Sequence, residues 1–264
     1  MENGSRLSGK VAFVAGGGGG IGSAAMRAFA AAGAAVVAAD LNPDRAEAAA
    51  ESVRAAGGHA VGLGFDVTDD ASVASAVAQV VARFGRLDVL YNCAGGTDPA
   101  DGPVTEVPLD AFDRTIALDL RGTFLCCRHA IPEIVRAGGG AVINMSSGAA
   151  LRGANPAHCY SAAKGAILSL TRALAGHYAK QGVRVNCIAS GRVMTERVIR
   201  TFGSLEDAKT SGRDPQDPIG RMRVYPFWVG DPEHIAATAV FLASDAARMI
   251  TGATIAADGG RSAY

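Results

Sequence analysis

The sequence predicts an α/β fold: a doubly wound parallel sheet of about seven strands, with helices on both faces. Short apolar runs alternate with longer helical patterns along almost all of the 264 residues. The apolar runs are continuous, which is typical of strands buried on both faces of a parallel sheet. Because crossovers between parallel strands are right-handed, the doubly wound arrangement is the most economical topology.

Each element follows from its local pattern, beginning with a fully apolar strand and a helix of small residues. The predicted strands are Val11–Ala15, Ala35–Ala39, His59–Phe65, Val89–Asn92, Val142–Ser146, Val183–Ile188 and Thr254–Ala257. The predicted helices are Gly22–Ala32, Pro43–Ala56, Ser72–Phe84, Leu109–Thr115, Arg121–Val135, a long helix from the Tyr160 segment to Lys180, and Pro232–Ser244. No linker, repeat or charge block interrupts them, so we expect one domain over residues 1–264.

Composition excludes several classes of protein. Lys+Arg and Asp+Glu are balanced at 25 each, so no net charge favours nucleic acid or an anionic membrane as partner. The five cysteines are odd in number and lack Cys-x-x-Cys spacing, so we expect no disulfide framework and no metal site. The N-terminus shows no signal peptide and no membrane span, and we expect a cytoplasmic protein.

A glycine run follows the first predicted strand and opens the first helix. Glycines at that place permit a tight turn and let the backbone approach a pyrophosphate, which the helix N-terminus attracts. The run therefore predicts a dinucleotide site. Its candidate contacts are Gly16, Gly18, Gly19, Gly20, Ile21 and Gly22.

Acidic residues at the ends of the second and third strands indicate which dinucleotide binds. Asp40, followed by Leu41, would accept hydrogen bonds from the adenine ribose and repel a 2′-phosphate. The glycine run contains no Arg or Lys, and Arg45 is expected to lie on the helix surface. The predicted cofactor is NAD. Asp66 and Val67 would contact adenine, although Asp66 could instead begin the cap of the next helix.

Tyr160 and Lys164 are four residues apart in a predicted helix and therefore share one face. A free phenol has a pKa near 10, and a neighbouring cation favours its ionised form, so such a pair can transfer protons. Ser147 lies thirteen residues before the tyrosine, just after a strand, and could offer a hydroxyl to the same substrate oxygen. Taken alone, the pair could also be an ordinary contact on a helix surface.

The chain resembles the short-chain dehydrogenase/reductase family over nearly its whole length, which implies a Rossmann-type fold. The resemblance rests on the glycine run, Ser147, Tyr160 with Lys164, and three further segments. These segments are Asn92-Cys93-Ala94-Gly95, Val183-Arg184-Val185-Asn186, and Ile250-Thr251-Gly252 with Asp258-Gly259-Gly260.

The resemblance implies a role for each matching residue. Tyr160 would be the general acid/base, Lys164 would favour its phenolate and bind the nicotinamide ribose, and Ser147 would hydrogen-bond the substrate oxygen. The remaining cofactor contacts would be Asn92, Ala94, Gly95, Val193 and Thr195. The implied substrate is a secondary alcohol or ketone, and the implied assembly is a homotetramer.

Several positions depart from the family pattern, and Asp119 is the most consequential. It occupies the place of an asparagine that supports a proton relay to the lysine. Its backbone carbonyl could still serve the relay, or its carboxylate could pair with Lys164. The other departures are Ala15 for Thr, Cys93 for a second Asn, and Ser190 for Pro.

Residues 192–230 show little periodicity and begin just past a strand's carboxyl end, which predicts a substrate lid. Its arginines could select an anionic substrate, or they could be solvated or paired with nearby carboxylates. They are Arg192, Arg197, Arg200, Arg213, Arg221 and Arg223. Two other functions remain open beside an NAD-dependent dehydrogenase: an NADPH-dependent 3-oxoacyl-thioester reductase and a catalytically weak NAD-binding regulator.

Overall fold

Seven parallel strands form one sheet in the computed structural model, which describes residues 6–153, 155–202 and 227–263. The strands are β1 Val11–Ala15, β2 Ala35–Asp40, β3 Ala60–Gly64, β4 Val89–Asn92, β5 Gly140–Ser147, β6 Val183–Ser190 and β9 Thr254–Ala257, and a separate two-stranded sheet pairs β7 Arg192–Val193 with β8 Val229–Gly230. The order β3-β2-β1-β4-β5-β6-β9 reverses direction between β1 and β4. This is the doubly wound, Rossmann-type topology, and the predicted fold class is confirmed.

Helices cover both faces of the sheet. In chain order they are α1 Gly20–Ala31, α2 Pro43–Ala55, α3 Asp70–Phe84, α4 Leu109–Thr115, α5 Gly122–Arg136, α6 His158–Tyr178, α7 Glu196–Phe202 and α8 Pro232–Ala243. Helices α1, α2 and α8 share one apolar core, while α3, α5 and one face of α6 share the other. Alternate residues of β1 enter these two cores, because successive side chains of a strand point to opposite faces.

The predicted elements are all present, and the structure corrects several of their ends. The third strand does not include His59 or Phe65, and α1 begins two residues earlier than expected, at Gly20. The expected break between α4 and α5 is wrong, because a π-helical turn over Ile116–Arg121 joins them. Short strands and α7 also lie within the segment expected to be irregular.

A buried carboxylate ties the chain together at the amino end of β4. Asp88 is 1% exposed and accepts hydrogen bonds from Arg86 (2.8 and 2.6 Å), the Val11 amide (2.9 Å) and Lys10 (3.3 Å). Burial alone would raise the pKa of Asp88, but these partners, Arg86 first, hold it below its usual value. Asp88 is therefore a fully satisfied charge at the amino edge of the sheet.

Three further features concern the parts of the chain that the structure describes. No helix there combines the length and apolar character needed to cross a membrane. No group of three or more His, Cys, Asp or Glu side chains there is placed to hold a metal ion. The five cysteines have free thiols, and four of them are buried.

Candidate active site

The glycine run forms a tight turn at the carboxyl end of β1, and several of its residues must be glycine. Gly16 has φ +81°, and a Cβ there would lie 2.6 Å from the Ala94 amide nitrogen. A Cβ on Gly22 would collide with the Gly16 carbonyl oxygen. Helix α1 then begins at Gly20 with no side-chain cap, which leaves its first amides available to an anion. The loop thus has the backbone arrangement that a pyrophosphate requires.

Asp40 ends β2 beside this turn. Its Oδ2 accepts a hydrogen bond from the Gly18 amide (3.0 Å) and its Oδ1 from the Asn42 amide (3.1 Å), so the carboxylate is held in place. Arg45 lies on α2 and forms an ion pair with Glu196 of α7 (2.9 Å). The predicted surface position of Arg45 is therefore correct, and its partner is a residue of the segment expected to form the lid.

A cleft of about 610 Å³ extends from Asp40 across the carboxyl edge of the sheet. It brings together many of the predicted cofactor contacts, namely Gly16, Gly19, Asp40, Leu41, Asp66, Val67, Ala94 and Gly95. Asp66 also accepts hydrogen bonds from the Thr68 amide (2.8 Å) and hydroxyl (2.7 Å), while Asp69 caps α3. Asp66 therefore both forms the local turn before α3 and lines the cleft.

The other predicted contacts do not line this cleft, namely Gly18, Gly20, Ile21, Gly22, Asn92, Tyr160, Lys164, Val193 and Thr195. Of these, Asn92 lies in the core. It is 3% exposed, and its Nδ2 donates to Asn144 Oδ1 on β5 (2.8 Å). The Asn144 amide in turn donates to the Thr171 hydroxyl on α6 (3.0 Å). These bonds join β4, β5 and α6 below the cleft, so the side chain of Asn92 supports the site from within the core.

Lys164 is anchored to the end of β5. Its ammonium donates to the Met145 carbonyl (3.1 Å), and its own carbonyl accepts a hydrogen bond from the Ser146 hydroxyl (2.8 Å). Ser147 follows directly as the last residue of β5, and its Oγ accepts a hydrogen bond from the Ala149 amide (3.1 Å). The Lys164 Nζ lies 5.6 Å from the centroid of the Tyr160 ring. The structure therefore gathers Ser147, Tyr160 and Lys164 at the carboxyl edge of β5.

Asp119 forms a buried ion pair with Lys164. Its Oδ1 lies 2.8 Å from the Lys164 Nζ and also accepts the Gly96 amide (3.1 Å). Both side chains are nearly inaccessible, and within the part of the chain described, Asp119 Oδ2 has no hydrogen-bond partner. Of the two possibilities for Asp119, the structure thus contains the direct carboxylate pair. The backbone carbonyl of Asp119 accepts the Thr123 hydroxyl (2.7 Å).

The charge on Asp119 changes the acidity of the lysine. Burial by itself lowers the pKa of Lys164, but Asp119, and after it Tyr160, raise it more, so the pKa lies above its usual value. The ammonium therefore stays protonated. It also lies at the back of the cleft, because a Cβ on Gly95 would be 3.0 Å from the Lys164 Nζ. Because residue 95 is a glycine, it places no side chain between the Lys164 ammonium and the cleft.

The segment after β7 covers the glycine loop. Val193 is buried, and Thr195 lies against Gly20, where a Cβ would be 2.9 Å from the threonine methyl carbon. Arg197 lines the cleft and contacts the Gly95 carbonyl oxygen at 3.4 Å. Of the other arginines expected in a lid, Arg213, Arg221 and Arg223 lie outside the described residues.

Among the residues of this site, Arg197 and Asp101 were not individually predicted from the sequence. Arg197 was grouped with the lid arginines, and nothing in its spacing indicated that it reaches the cofactor cleft. Asp101 accepts hydrogen bonds from the amides of Cys159 (3.0 Å) and Tyr160 (2.8 Å). One signal was available for Asp101: Ala157 precedes α6 and offers no capping side chain, so a cap had to come from elsewhere.

The residues present fit a dinucleotide cofactor. Close glycine contacts, free amides at a helix start and a fixed carboxylate at the end of β2 are what such a ligand requires. The cleft ends at a buried lysine that shares a helix with a tyrosine. Fold and site together define the class of Rossmann-type oxidoreductases.

Comparison with known proteins agrees with this class. The family model described as "Enoyl-(Acyl carrier protein) reductase" matches residues 16–262. D-threitol dehydrogenase of Mycolicibacterium smegmatis is 40% identical over 97% of this chain and 94% of its own length. Cis-4-hydroxycyclohexanecarboxylate dehydrogenase of Sinomonas cyclohexanicum is 40% identical over 98% of this chain and 99% of its own.

A solved structure extends the comparison. The 7α-hydroxysteroid dehydrogenase complexed with NADH and 7-oxo glycochenodeoxycholic acid has a TM-score of 0.85 and 29% identity, covering 98% of this chain and 96% of that one. The chain belongs to the short-chain dehydrogenase/reductase family, and it is an oxidoreductase of that family.

Proposed function

We propose that the protein is an NAD-dependent dehydrogenase that interconverts a secondary alcohol and a ketone, with Tyr160 as the general acid/base. The observation that carries the proposal is the position of the Lys164 ammonium. It lies between the Asp119 carboxylate and the Met145 carbonyl, 5.6 Å from the Tyr160 ring and beside Gly95 of the cofactor cleft. A fixed cation next to a phenol and a dinucleotide cleft suits coupled transfer of a proton and a hydride.

Tyr160, Ser147 and Lys164 have different roles in this mechanism. In the oxidation direction Tyr160 takes the proton of the substrate hydroxyl, and Ser147 hydrogen-bonds the same oxygen and fixes its distance. Lys164 stabilises the negative charge on the phenol oxygen and binds the cofactor ribose. Bound NAD supplies the carbon that accepts the substrate's hydride. Positioned proton transfer of this kind contributes roughly 10²–10⁴-fold to the rate.

The preference for NAD over NADP rests on Asp40. Two backbone amides hold its carboxylate at the end of β2, where a 2′-phosphate would meet a negative charge. Arg45, which follows Asp40 by five residues, is paired with Glu196. We expect turnover with NAD⁺ to exceed turnover with NADP⁺. We expect Asp40→Ser to lower the ratio of the NAD⁺ rate to the NADP⁺ rate. A wild-type preference for NADP⁺ would favour the 3-oxoacyl-thioester reductase instead.

The names of two relatives guide the choice of substrate. A threitol dehydrogenase and a cis-4-hydroxycyclohexanecarboxylate dehydrogenase act on polyol and alicyclic secondary alcohols. We therefore propose a small secondary alcohol of one of these two types, tested by NADH formation with threitol, cis-4-hydroxycyclohexanecarboxylate and cyclohexanol. Faster turnover of the carboxylate than of cyclohexanol would support an anionic substrate. Tight NAD binding without turnover of any alcohol or ketone would favour a regulator.

Four other predictions belong with this proposal. Residues 1–264 form one domain, in which residues 192–230 act as a lid over the substrate. The protein assembles as a homotetramer and works in the cytoplasm. Size-exclusion chromatography with light scattering tests the assembly.

A further inference from the structure

The first turn of α6, which carries Tyr160, has no cap from its own sequence. The first amides of any helix lack partners within the helix and must find them elsewhere. Ala157, at the N-cap of α6, has an aliphatic side chain and forms no capping hydrogen bond. Helices α2 and α3, by contrast, are capped by the side chains of Asn42 and Asp69.

Asp101, from the loop between β4 and α4, supplies the missing cap. Its Oδ1 accepts a hydrogen bond from the Cys159 amide (3.0 Å), and its Oδ2 accepts one from the Tyr160 amide (2.8 Å). Hydrogen bonds to a carboxylate are roughly twice as strong as those between neutral groups, and a negative charge is favoured at a helix N-terminus. Asp101 therefore holds the backbone of Tyr160 itself.

The same loop is bound to α6 at two further points. The His158 Nδ1 accepts a hydrogen bond from the Val104 amide (3.0 Å), and the His158 amide donates to the Gly102 carbonyl (3.3 Å). The loop therefore caps the first turn of α6, and His158 in that turn binds the backbone of the loop. Because the contacts run in both directions, the loop and the first turn of α6 form one unit.

At its other end this loop lines the cofactor cleft. Thr97, Asp98 and Pro99 face the cleft, and the Asp98 carboxylate is held by Arg114 (2.8 Å). Asp101 lies between this wall and Tyr160. A change in the loop at position 101 would therefore move the phenol relative to the cleft.

We propose that Asp101 is a positioning residue for the reaction, fixing Tyr160 against the cofactor cleft through the two amides that it binds. The inference rests on the proposed function, because it assumes that Tyr160 exchanges the proton. Small displacements of reacting groups are costly, and a shift of about 1 Å can lower a rate by about 10²-fold.

The test compares Asp101→Ala, Asp101→Asn and Asp69→Ala in the wild-type background. Asp69 is the matched control, because its carboxylate caps α3 through the Ala71 amide (3.0 Å) and lies on a helix without Tyr160. The measurements are kcat, KM for the alcohol, the Kd for NADH by fluorescence, and the kinetic isotope effect with alcohol deuterated at the reacting carbon.

We expect Asp101→Ala to lower kcat by about 10–100-fold, to leave the Kd for NADH unchanged, and to increase the isotope effect because hydride transfer becomes slower. Asp101→Asn should recover part of kcat, since its amide oxygen can still accept one of the two hydrogen bonds. Asp69→Ala should lower the melting temperature and leave kcat at the wild-type value.

Wild-type kcat in Asp101→Ala would overturn this inference alone, as would an equal loss of kcat in Asp69→Ala or no recovery in Asp101→Asn. Absence of turnover in the wild-type enzyme itself would overturn the proposed function and this inference together.

Discussion

The two edges of the central sheet each hold a buried carboxylate, and the two carboxylates differ in how completely they are satisfied. At the amino edge, Asp88 is bound by Arg86, Lys10 and the Val11 amide. At the carboxyl edge, Asp119 pairs with Lys164 through one oxygen, and its other oxygen has no partner among the described residues. Buried polar atoms are nearly always hydrogen-bonded, so the unsatisfied Oδ2 distinguishes Asp119 from the fully bonded Asp88.

The cations that pair with the two carboxylates also differ, in how deeply they are buried. Arg86 and Lys10 are about two-fifths exposed, so they neutralise Asp88 from the surface. Lys164 is 3% exposed and lies between Asp119 and Tyr160. The amino edge therefore uses charge to stabilise the fold, whereas in the proposed mechanism the carboxyl edge uses charge to control a proton. The following substitutions test this distinction.

Lys164→Met should have the largest effect. Removing the cation leaves Asp119 buried and unpaired, which typically costs about 3–5 kcal/mol of folding free energy. It also removes the cation beside Tyr160, and we expect turnover to fall by about 10²–10⁴-fold. Urea unfolding and steady-state NADH formation measure the two losses separately.

The double variant Asp119→Asn/Lys164→Met serves as the control. With both charges absent, much of the lost stability should return, while turnover should stay low. Recovery of turnover in the double variant would mean that Lys164 acts only as a counter-ion for Asp119.

Asp88→Asn should affect stability and spare catalysis. Asparagine can still accept the Val11 amide, but the charge-assisted bonds to Arg86 are lost, at a cost of about 1.5–3 kcal/mol. We expect a lower urea midpoint with unchanged kcat. A reduced kcat at a temperature where the variant is fully folded would contradict the division between the two edges.

Asp88→Asn also tests how the folding stability depends on pH. Because the pKa of Asp88 is lowered in the folded state, its contribution is present above the unfolded value of 3.8 and is lost as the pH falls through the folded value. Wild type and Asp88→Asn should therefore differ most in stability near neutral pH, and the difference should shrink in acid. A difference that stays constant across this range would show that Asp88 contributes no linked proton.

Of the two substitutions at the carboxyl edge, Asp119→Asn should have the smaller effect on turnover. The negative charge that raises the pKa of Lys164 is removed while burial remains, so the pKa of the lysine falls. We expect the alkaline decline of kcat/KM to occur at lower pH than in wild type. At neutral pH the change in rate should stay below about tenfold, which corresponds to 1.4 kcal/mol. An alkaline decline at unchanged pH would mean that Lys164 does not control the rate there.

Local patterns were sufficient to predict that the glycine run and Asp40 lie at the carboxyl edge of the sheet. The glycine run follows β1 and Asp40 ends β2, so their positions depend only on elements adjacent in sequence. The strands Val89–Asn92 and Thr254–Ala257 were predicted with the ends that they have. The third strand was predicted one residue too long at each end, because His59 and Phe65 each still form one backbone hydrogen bond with β2.

The proton-transfer half depends on contacts that no local pattern contains. Asp119, which pairs with Lys164, lies in the π-helical turn, which sequence periodicity did not indicate. The Asn92 side chain turns into the core because Asn144 and Thr171 lie there, and Asp101 caps a helix that begins more than fifty residues later. Such contacts are set by the packing of distant elements.

The most direct test is the turnover of Tyr160→Phe, measured as NADH formed from NAD⁺ and a secondary alcohol that the wild-type enzyme oxidises. Phenylalanine keeps the ring and removes the hydroxyl that exchanges the proton. We predict that kcat falls by about 10²–10⁴-fold while the Kd for NADH is unchanged. A Tyr160→Phe enzyme with kcat close to the wild-type value would contradict the assignment of Tyr160 as the acid/base.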